Sequence, residues 1–201
     1  SLTNIFLLGM PGAGKDTNAV FIRNSHPNIS AIISTGDIFR GASTPDGEYG
    51  RFYSRLKTCR DNVNNGGYIP DDIIVSIVNK VTNKMMVNNG ISRFIFTGFP
   101  RTISQLNEIE KVSAQNHFLH LNCTIKNAKE RINHRYEEDI KNGRDVREDD
   151  LPEKFSTRLN QYKTRTLPII NDLKIRGKII SIDTNCSIEE VAKKIKTRIN
   201  F

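Results

Sequence analysis

A glycine-rich loop between an apolar run and a helical pattern limits the fold of this chain more than any other feature. The apolar run TNIFLL leads into GMPGAGKDT at residues 9–17, and a helical pattern starts at Lys15. In the spacing G-x-x-x-x-G-K, the glycines let backbone N–H groups surround a phosphate, and the lysine contacts the outer phosphates. The pattern therefore predicts a phosphate-binding loop that joins a strand to a helix.

Further apolar runs alternate with helical patterns along the rest of the chain. Including the first run, the predicted strands lie at 3–9, 29–34, 93–98, 117–122 and 177–183. Further helical patterns lie at 50–65, 71–88, 102–115, 126–141, 152–174 and 187–199. This alternation predicts an α/β fold of the P-loop NTPase type, with a five-stranded parallel sheet and helices on both faces.

Three motifs begin where a predicted strand ends. They are the glycine loop, the stretch STGD that starts at Ser34, and the stretch GFPR that starts at Gly98. The carboxyl ends of parallel strands meet at one edge of a sheet, and ligands bind in the crevice there. We therefore expect these three motifs to line a single crevice.

Size and charge restrict the ligand class. The chain has 201 residues, of which 37% are hydrophobic, and this is typical of one globular domain. Its net charge of +8 would suit nucleic acid, an anionic membrane or small polyanions. Arginines are concentrated between Arg131 and Arg165 rather than in a tail, which favours a site for small anions. We expect a monomer that binds neither nucleic acid nor a membrane.

The sequence also suggests a compartment. No apolar run approaches the ~20 residues of a membrane span, and the immediate strand pattern leaves no room for a signal peptide. Cys59, Cys123 and Cys186 form no CxxC pair, which favours a reducing compartment. A cytoplasmic protein is expected. Because the sequence begins at Ser1 without methionine, an organelle reached through a removed leader is the alternative.

A polar segment interrupts the helical patterns in the second half of the chain. It reads YEEDIKNGRDVRED, spans residues 136–149, and has no apolar residue after Ile140 except Val146. This composition predicts a mobile flap within a single domain that covers residues 1–201.

Five further motifs follow the glycine loop in order along almost the whole chain. They are STGDIFR at 34–40, GxIPDD at 67–72, GFPRTxxQ at 98–105, ERxxxR at 130–135 and RxDDxxxxxxxRLxxY at 147–162. Together they resemble the adenylate kinase family of nucleoside monophosphate kinases. The resemblance implies reversible phosphoryl transfer from ATP to AMP with Mg²⁺, which gives two ADP. It also implies a helical acceptor-binding insert at 35–90 and a lid at 136–149.

The resemblance assigns roles to individual residues. For ATP it implies Gly12, Ala13, Gly14, Lys15, Asp16, Thr17 and Arg131, the last of which would stack on the adenine. For AMP it implies Thr35, Arg40, Gly67, Ile69, Gly98, Arg101 and Gln105. Around the transferred phosphoryl group it implies Lys15, Arg101, Arg135, Arg147 and Arg158. For Arg131 and Arg135 the alternative is a salt-bridged helix surface, and for Gln105 it is an exposed helix start.

The charge and shape of arginine side chains suit phosphoryl transfer. Two polyanions must be brought end to end, and guanidinium groups bind phosphate oxygens with a charge that is fixed at any working pH. The attacking phosphate oxygen is already ionised, so no general base is needed. Thr35 and Gln105 match AMP, whereas UMP-CMP kinases usually carry Ala and Asn there. The alternatives are a kinase that uses GTP or accepts UMP or CMP, and a catalytically weak nucleotide-binding relative.

Two positions depart from the family pattern. The family usually has Gly after the loop lysine, where this chain has Asp16, and Asp before GFPR, where this chain has Thr97. In one hypothesis Asp16 takes over Mg²⁺ binding from the lost Asp. In the other, Asp16 repels the donor phosphates and weakens their binding. We favour the first, because the other phosphate-facing positions carry Lys or Arg.

Overall fold

A parallel five-stranded sheet forms the centre of the molecule, as the sequence predicts. The computed structural model describes residues 1–65, 67–146 and 151–199. The strands are β1 Thr3–Leu8, β2 Ser30–Ser34, β3 Arg93–Thr97, β4 Gln115–Asn122 and β5 Ile179–Asp183, in the spatial order β2-β3-β1-β4-β5. All four pairings are parallel. The central position of β1 carries the glycine loop to the middle of the carboxyl edge.

Ten α-helices and several shorter helical segments surround the sheet in the described part of the chain. The α-helices are α1 Lys15–Ser25, α2 Thr35–Gly41, α3 Tyr53–Lys57, α4 Arg60–Asn64, α5 Asp71–Asn89, α6 Ile103–Glu110, α7 Ile125–Lys141, α8 Phe155–Gln161, α9 Leu167–Ile175 and α10 Ile188–Arg198. Two 3₁₀ turns, Gly50–Phe52 and Pro152–Lys154, precede α3 and α8, and a π-helical turn, Tyr162–Thr166, joins α8 to α9. None of the helices described is long and apolar enough to cross a membrane.

The two faces of the sheet bury separate apolar clusters. On one face, Phe6 stacks between Phe96 and Phe118 from the neighbouring strands, with ring centroids 4.7 and 4.9 Å away. Residues of α5 and α9 cover this stripe, among them Ile77. On the other face, Ile22 of α1 and other residues of α1, α7 and α10 form the second cluster. Burial on both faces explains why the strands appear in the sequence as nearly continuous apolar runs.

Several predicted helix boundaries are wrong. The sequence pattern did not indicate α2, which starts directly after β2 because the Ser34 side chain accepts a hydrogen bond from the Asp37 N–H and caps the helix. The predicted helix 50–65 is divided into a 3₁₀ turn, α3 and α4, and the predicted helix 102–115 ends at Glu110. Gln115 already belongs to β4.

The segment predicted as a flap at 136–149 differs in part from the prediction. α7 continues to Lys141, so residues 136–141 are helical rather than irregular. The Nε atom of Arg144 donates to Asp139 Oδ1 at 2.7 Å, which attaches the first residues after the helix to its last turn. Residues 147–150, including Arg147, lie outside the described part of the chain.

Candidate active site

The glycine loop wraps tightly around the start of α1. Gly12 and Gly14 have φ angles of 83° and 92°, a left-handed conformation that side chains disfavour. A Cβ atom on Gly12 would lie only 2.3 Å from the carbonyl oxygen of Ala128 on α7. Ala13 between them is fully buried. The loop therefore needs glycine at both positions for its backbone conformation, and at Gly12 also for its close contact with α7.

The Lys15 ammonium group lies inside this loop. Its Nζ atom donates to the carbonyl oxygens of Gly9 and Met10, at 2.9 Å each. Burial, with smaller contributions from the positive charges of Arg158 and Arg101, lowers the pKa of Lys15 to about 7, against the opposing effect of Asp16. Burial thus disfavours the charged form of the Lys15 amine in the loop, and a bound anion would favour that form.

Two cavities open at the carboxyl edge of the sheet. The larger has a volume of about 360 Å³ and lies between α2, the segment after α4, and α8. The smaller, of about 80 Å³, lies against the glycine loop and includes Lys15. The cavities adjoin, because five residues line both: Tyr68, Gly98, Arg101, Arg158 and Gln161. The three strand-end motifs therefore do line one continuous crevice.

All seven residues that the sequence suggests for AMP line the larger cavity. They are Thr35, Arg40, Gly67, Ile69, Gly98, Arg101 and Gln105. The Thr35 hydroxyl and the Arg101 Nε both donate to the carbonyl oxygen of Gly98, at 3.0 and 2.8 Å. Gly98 has a φ of 77°, and a Cβ atom there would lie 2.9 Å from Thr35 Oγ1. These bonds fix Arg101 at the junction of the two cavities.

Arg40 differs in its surroundings. Its guanidinium lies 2.6 Å from Asp37 Oδ1, one turn earlier on α2, and both side chains are partly exposed to solvent. An exposed ion pair of this kind contributes about 0.2 to 1 kcal/mol, so a phosphate could replace it at small cost.

Gln105 is buried, contrary to the alternative that treated it as an exposed residue at a helix start. Its side chain is 2% exposed. Its Oε1 atom accepts from the Arg101 backbone N–H at 2.7 Å, and its Nε2 atom donates to Asp71 Oδ1 at 2.8 Å. The second oxygen of Asp71 accepts from the Thr102 hydroxyl at 2.9 Å. Both ends of the Gln105 amide are therefore held by neighbouring groups.

The remaining arginines take separate positions. Arg158 of α8 lines both cavities. Arg131 of α7 connects the glycine loop to the end of β5, since it donates to the carbonyl oxygens of Gly12 and Thr184. Arg135 lies one helical turn further along α7 and is half-buried. Of these three described arginines, only Arg158 reaches the cavities.

Asp16 and Thr97, the two positions at which the sequence is expected to depart from the family pattern, lie in different environments. Asp16 is exposed in the first turn of α1, next to exposed Thr17. Thr97 ends β3 with 3% of its surface exposed. Among the described residues there is no cluster of three or more His, Cys, Asp or Glu side chains suited to a metal ion. A Mg²⁺ ion bound through one carboxylate, waters and nucleotide phosphates needs no such cluster, so an exposed Asp16 beside Lys15 fits that mode of binding.

Sequence reasoning missed two residues at the junction of the cavities, Tyr68 and Gln161. The guanidinium groups of Arg101 and Arg165 lie 5.2 and 4.5 Å from the Tyr68 ring centroid. Its hydroxyl donates to the Gln161 carbonyl oxygen at 3.4 Å. An aromatic residue inside the GxIPDD motif was the only available signal, and it does not indicate which distant residues the ring contacts.

Comparisons with known proteins agree with this geometry. The family model described as adenylate kinase matches residues 7–178. An adenylate kinase from Nitrobacter hamburgensis is 34% identical over 200 residues, which is 95% of this chain and 89% of the relative. One from Oenococcus oeni is 33% identical over 98% of this chain and 97% of the relative. A UMP-CMP kinase from Lentinula edodes is 30% identical over 98% of this chain and 86% of its own length.

Proposed function

This chain belongs to the adenylate kinase family, and from that premise we propose that it transfers the terminal phosphoryl group of ATP to AMP, reversibly, to give two ADP. Membership of the family makes it a nucleoside monophosphate kinase, a phosphotransferase that acts on nucleotides. The choice of ATP as the donor and AMP as the acceptor is more specific than family membership, and this choice is what we propose.

One observation carries the proposal: the cavity at the glycine loop and the larger cavity adjoin through two arginines. Arg101 and Arg158 line both, and Lys15 lies in the smaller one. Two nucleotides bound with their phosphates toward this junction would meet end to end. The cationic groups would then offset the charge of the transferred group, which is spread over its oxygens in the transition state.

The acceptor is proposed to be AMP on the basis of the larger cavity. Thr35 and Gln105 both line it, and the buried Gln105 amide offers donor and acceptor atoms to a base. A site that hydrogen-bonds a base edge discriminates strongly, because the wrong base leaves buried polar groups unpaired. The similarity to a UMP-CMP kinase keeps UMP and CMP as the second candidates for the acceptor.

For the metal, we propose that Asp16 supplies the carboxylate that the family usually places before GFPR. Asp16 lies next to Lys15 and influences its pKa, so its charge is felt where donor phosphates would bind. A Mg²⁺ ion would neutralise phosphate charge and orient the phosphates of ATP. The opposing hypothesis, repulsion between Asp16 and the phosphates, would make the protein a weak enzyme or a nucleotide binder.

The proposed domain organisation adds two segments to the core. Residues of the proposed insert at 35–90, among them Arg40 and Ile69, line part of the acceptor cavity, and the proposed lid at 136–149 would close over the phosphates. Arg135 precedes the lid and Arg147 lies near its end, so closure would bring further cations to the junction. Closure would also exclude water from the transferring group, a step for which the adenylate kinase lid is itself a standard example.

A coupled assay for ADP formation tests the proposal. We expect ADP from ATP plus AMP, with turnover that depends on Mg²⁺, and much slower reaction with GTP as donor or with UMP or CMP as acceptor. Preferred use of another pair would assign that pair instead. Nucleotide binding without turnover for any pair would leave only the binding function.

A further inference from the structure

The orientation of the Gln105 amide is fixed by two partners that differ in chemistry. Asp71 Oδ1 lies 2.8 Å from Nε2, and the Arg101 backbone nitrogen lies 2.7 Å from Oε1. An ionised carboxylate only accepts hydrogen bonds, and a backbone N–H only donates. Both partners therefore demand the same orientation. Rotation of the amide by 180° would place oxygen against carboxylate and NH₂ against N–H.

Asp71 is itself held in place. It is the first residue of α5, where the helix dipole favours a negative charge. Its other oxygen accepts from the hydroxyl of Thr102, which also caps α6 through the N–H of Gln105. The carboxylate thus joins the starts of two helices, and it cannot follow a rotation of the Gln105 amide without the loss of these bonds.

The fixed amide presents a defined pair of groups. Nε2 carries a second N–H and Oε1 a second lone pair, and Gln105 lines the larger cavity. A 6-aminopurine offers a matching pair, since its amino group donates beside a ring nitrogen that accepts. A 6-oxopurine such as hypoxanthine has an acceptor at that position and a donor at N1. It would fit Gln105 only with the amide rotated.

We propose that Asp71 is a specificity-determining positioning residue, which selects 6-amino over 6-oxo nucleotides by preventing rotation of the Gln105 amide. The inference rests on the proposed function, in which the larger cavity accepts the nucleoside monophosphate. It concerns a residue that the family resemblance leaves without a role in this chain.

The test compares AMP and IMP as acceptors for the wild type and Asp71→Asn. Asparagine can donate as well as accept, so it removes the constraint that the carboxylate places on the Gln105 amide, and only the Arg101 backbone N–H still favours the original orientation. We expect the ratio of kcat/KM for AMP to that for IMP to fall by about 10- to 100-fold. Asp72→Asn is the matched control, because it removes the same charge from the next residue of α5, which is exposed, and should leave the ratio unchanged. A purely structural defect would lower both values together. A ratio that falls less than tenfold overturns the inference.

Two further measurements keep the inference testable if Asp71→Asn folds poorly. Asp71→Glu retains an acceptor-only side chain and should retain the wild-type ratio even if turnover falls, and a loss of selectivity in this variant overturns the inference. In the ligand-free wild type, the side-chain NH₂ of Gln105 should give one NMR proton signal that is protected from exchange with solvent. Rapid exchange of both protons overturns the inference as well.

Failure of the proposed function would look different. A wild type that prefers a pyrimidine nucleotide, or that shows no turnover with AMP, counts against AMP as the acceptor, whereas a wild type that prefers IMP overturns the inference as well. In the absence of turnover, the same AMP to IMP ratio is read from dissociation constants measured by calorimetry. The effect of Asp71→Asn on that ratio then decides the inference separately.

Discussion

The guanidinium group of Arg165 lies over the ring of Tyr68, 4.5 Å from its centroid. Arg101 approaches the same ring at 5.2 Å, and the Tyr68 hydroxyl donates to the Gln161 carbonyl oxygen. Tyr68 belongs to the segment between α4 and α5, whereas its partners come from the end of β3 and from the α8 region. One aromatic side chain thus connects the acceptor-binding side of the crevice with the arginines at the junction of the cavities.

We expect Tyr68→Leu to lower kcat/KM for the acceptor by roughly tenfold, since each partly desolvated cation–π contact contributes about 0.5 to 2 kcal/mol. Tyr68→Phe keeps the ring and should retain most of the activity. The measurement is steady-state kinetics with the acceptor varied. Tyr53→Leu is the control, because its cation–π contact with Lys57 lies outside both cavities. Equal losses in Tyr68→Leu and Tyr53→Leu would contradict this role.

The sequence was sufficient to predict what depends on local pattern. Apolar runs predicted the five strands, and the glycine spacing predicted a loop whose Gly12 and Gly14 do adopt left-handed conformations. The contacts of Tyr68 and Asp71 were beyond reach, because each partner is remote in sequence. The packing of α5 against α6 brings Asp71 to Gln105, whereas Tyr68 meets partners from α8 and the π-helical turn. α2 was missed for a related reason: it is short, and its cap at Ser34 is also the last residue of a strand.

The lowered pKa of Lys15 predicts that the protein takes up protons when the donor nucleotide binds. Burial lowers the pKa of Lys15 to about 7 in the ligand-free protein, so the amine is increasingly neutral above that pH. Bound phosphates favour the charged form and raise its pKa again. We expect ATP binding to take up a fraction of a proton near pH 7, rising toward one proton at higher pH, with affinity falling as the pH increases.

Calorimetry in buffers of different ionisation enthalpy measures this uptake. Lys15→Arg is the control, because a guanidinium remains charged throughout this range and should show no uptake. Binding to the wild type without proton uptake at pH 8 to 9 would mean that Lys15 is already charged in the empty loop.

The two hypotheses for Asp16 make opposite predictions for metal binding. If Asp16 helps to bind the metal, Asp16→Gly should weaken Mn²⁺ binding to the protein–ATP complex by roughly 10-fold or more, as measured by electron paramagnetic resonance. Thr97→Asp in the Asp16→Gly background should restore part of that affinity. Asp46→Gly, which removes an exposed carboxylate from the loop after α2, is the control. Tighter ATP binding by Asp16→Gly with unchanged Mn²⁺ affinity would instead support repulsion.

The buried pair of His120 and Tyr162 predicts a loss of stability in mild acid. His120 Nε2 lies 3.3 Å from the Tyr162 hydroxyl, the side chain is 4% exposed, and no partner for Nδ1 is present among the described residues. Burial, with a smaller contribution from Lys174, lowers the pKa of His120 from 6.5 to about 4. Between these pH values the unfolded chain binds a proton that the folded protein does not bind. Stability should therefore fall as the pH drops from 6.5 toward 4, by up to about 3 kcal/mol from this residue.

Urea denaturation across that pH range measures the effect. His120→Asn should flatten the pH dependence, although it will lower stability at neutral pH through the loss of packing around Tyr162. Some slope should remain, because burial also lowers the pKa of His117, next to Arg93. His134→Asn, on the exposed side of α7, is the matched control and should keep the wild-type slope. If His120→Asn and His134→Asn follow the same pH profile as the wild type, protonation of His120 does not limit acid stability, and its pKa in the folded protein lies near the value in the unfolded chain.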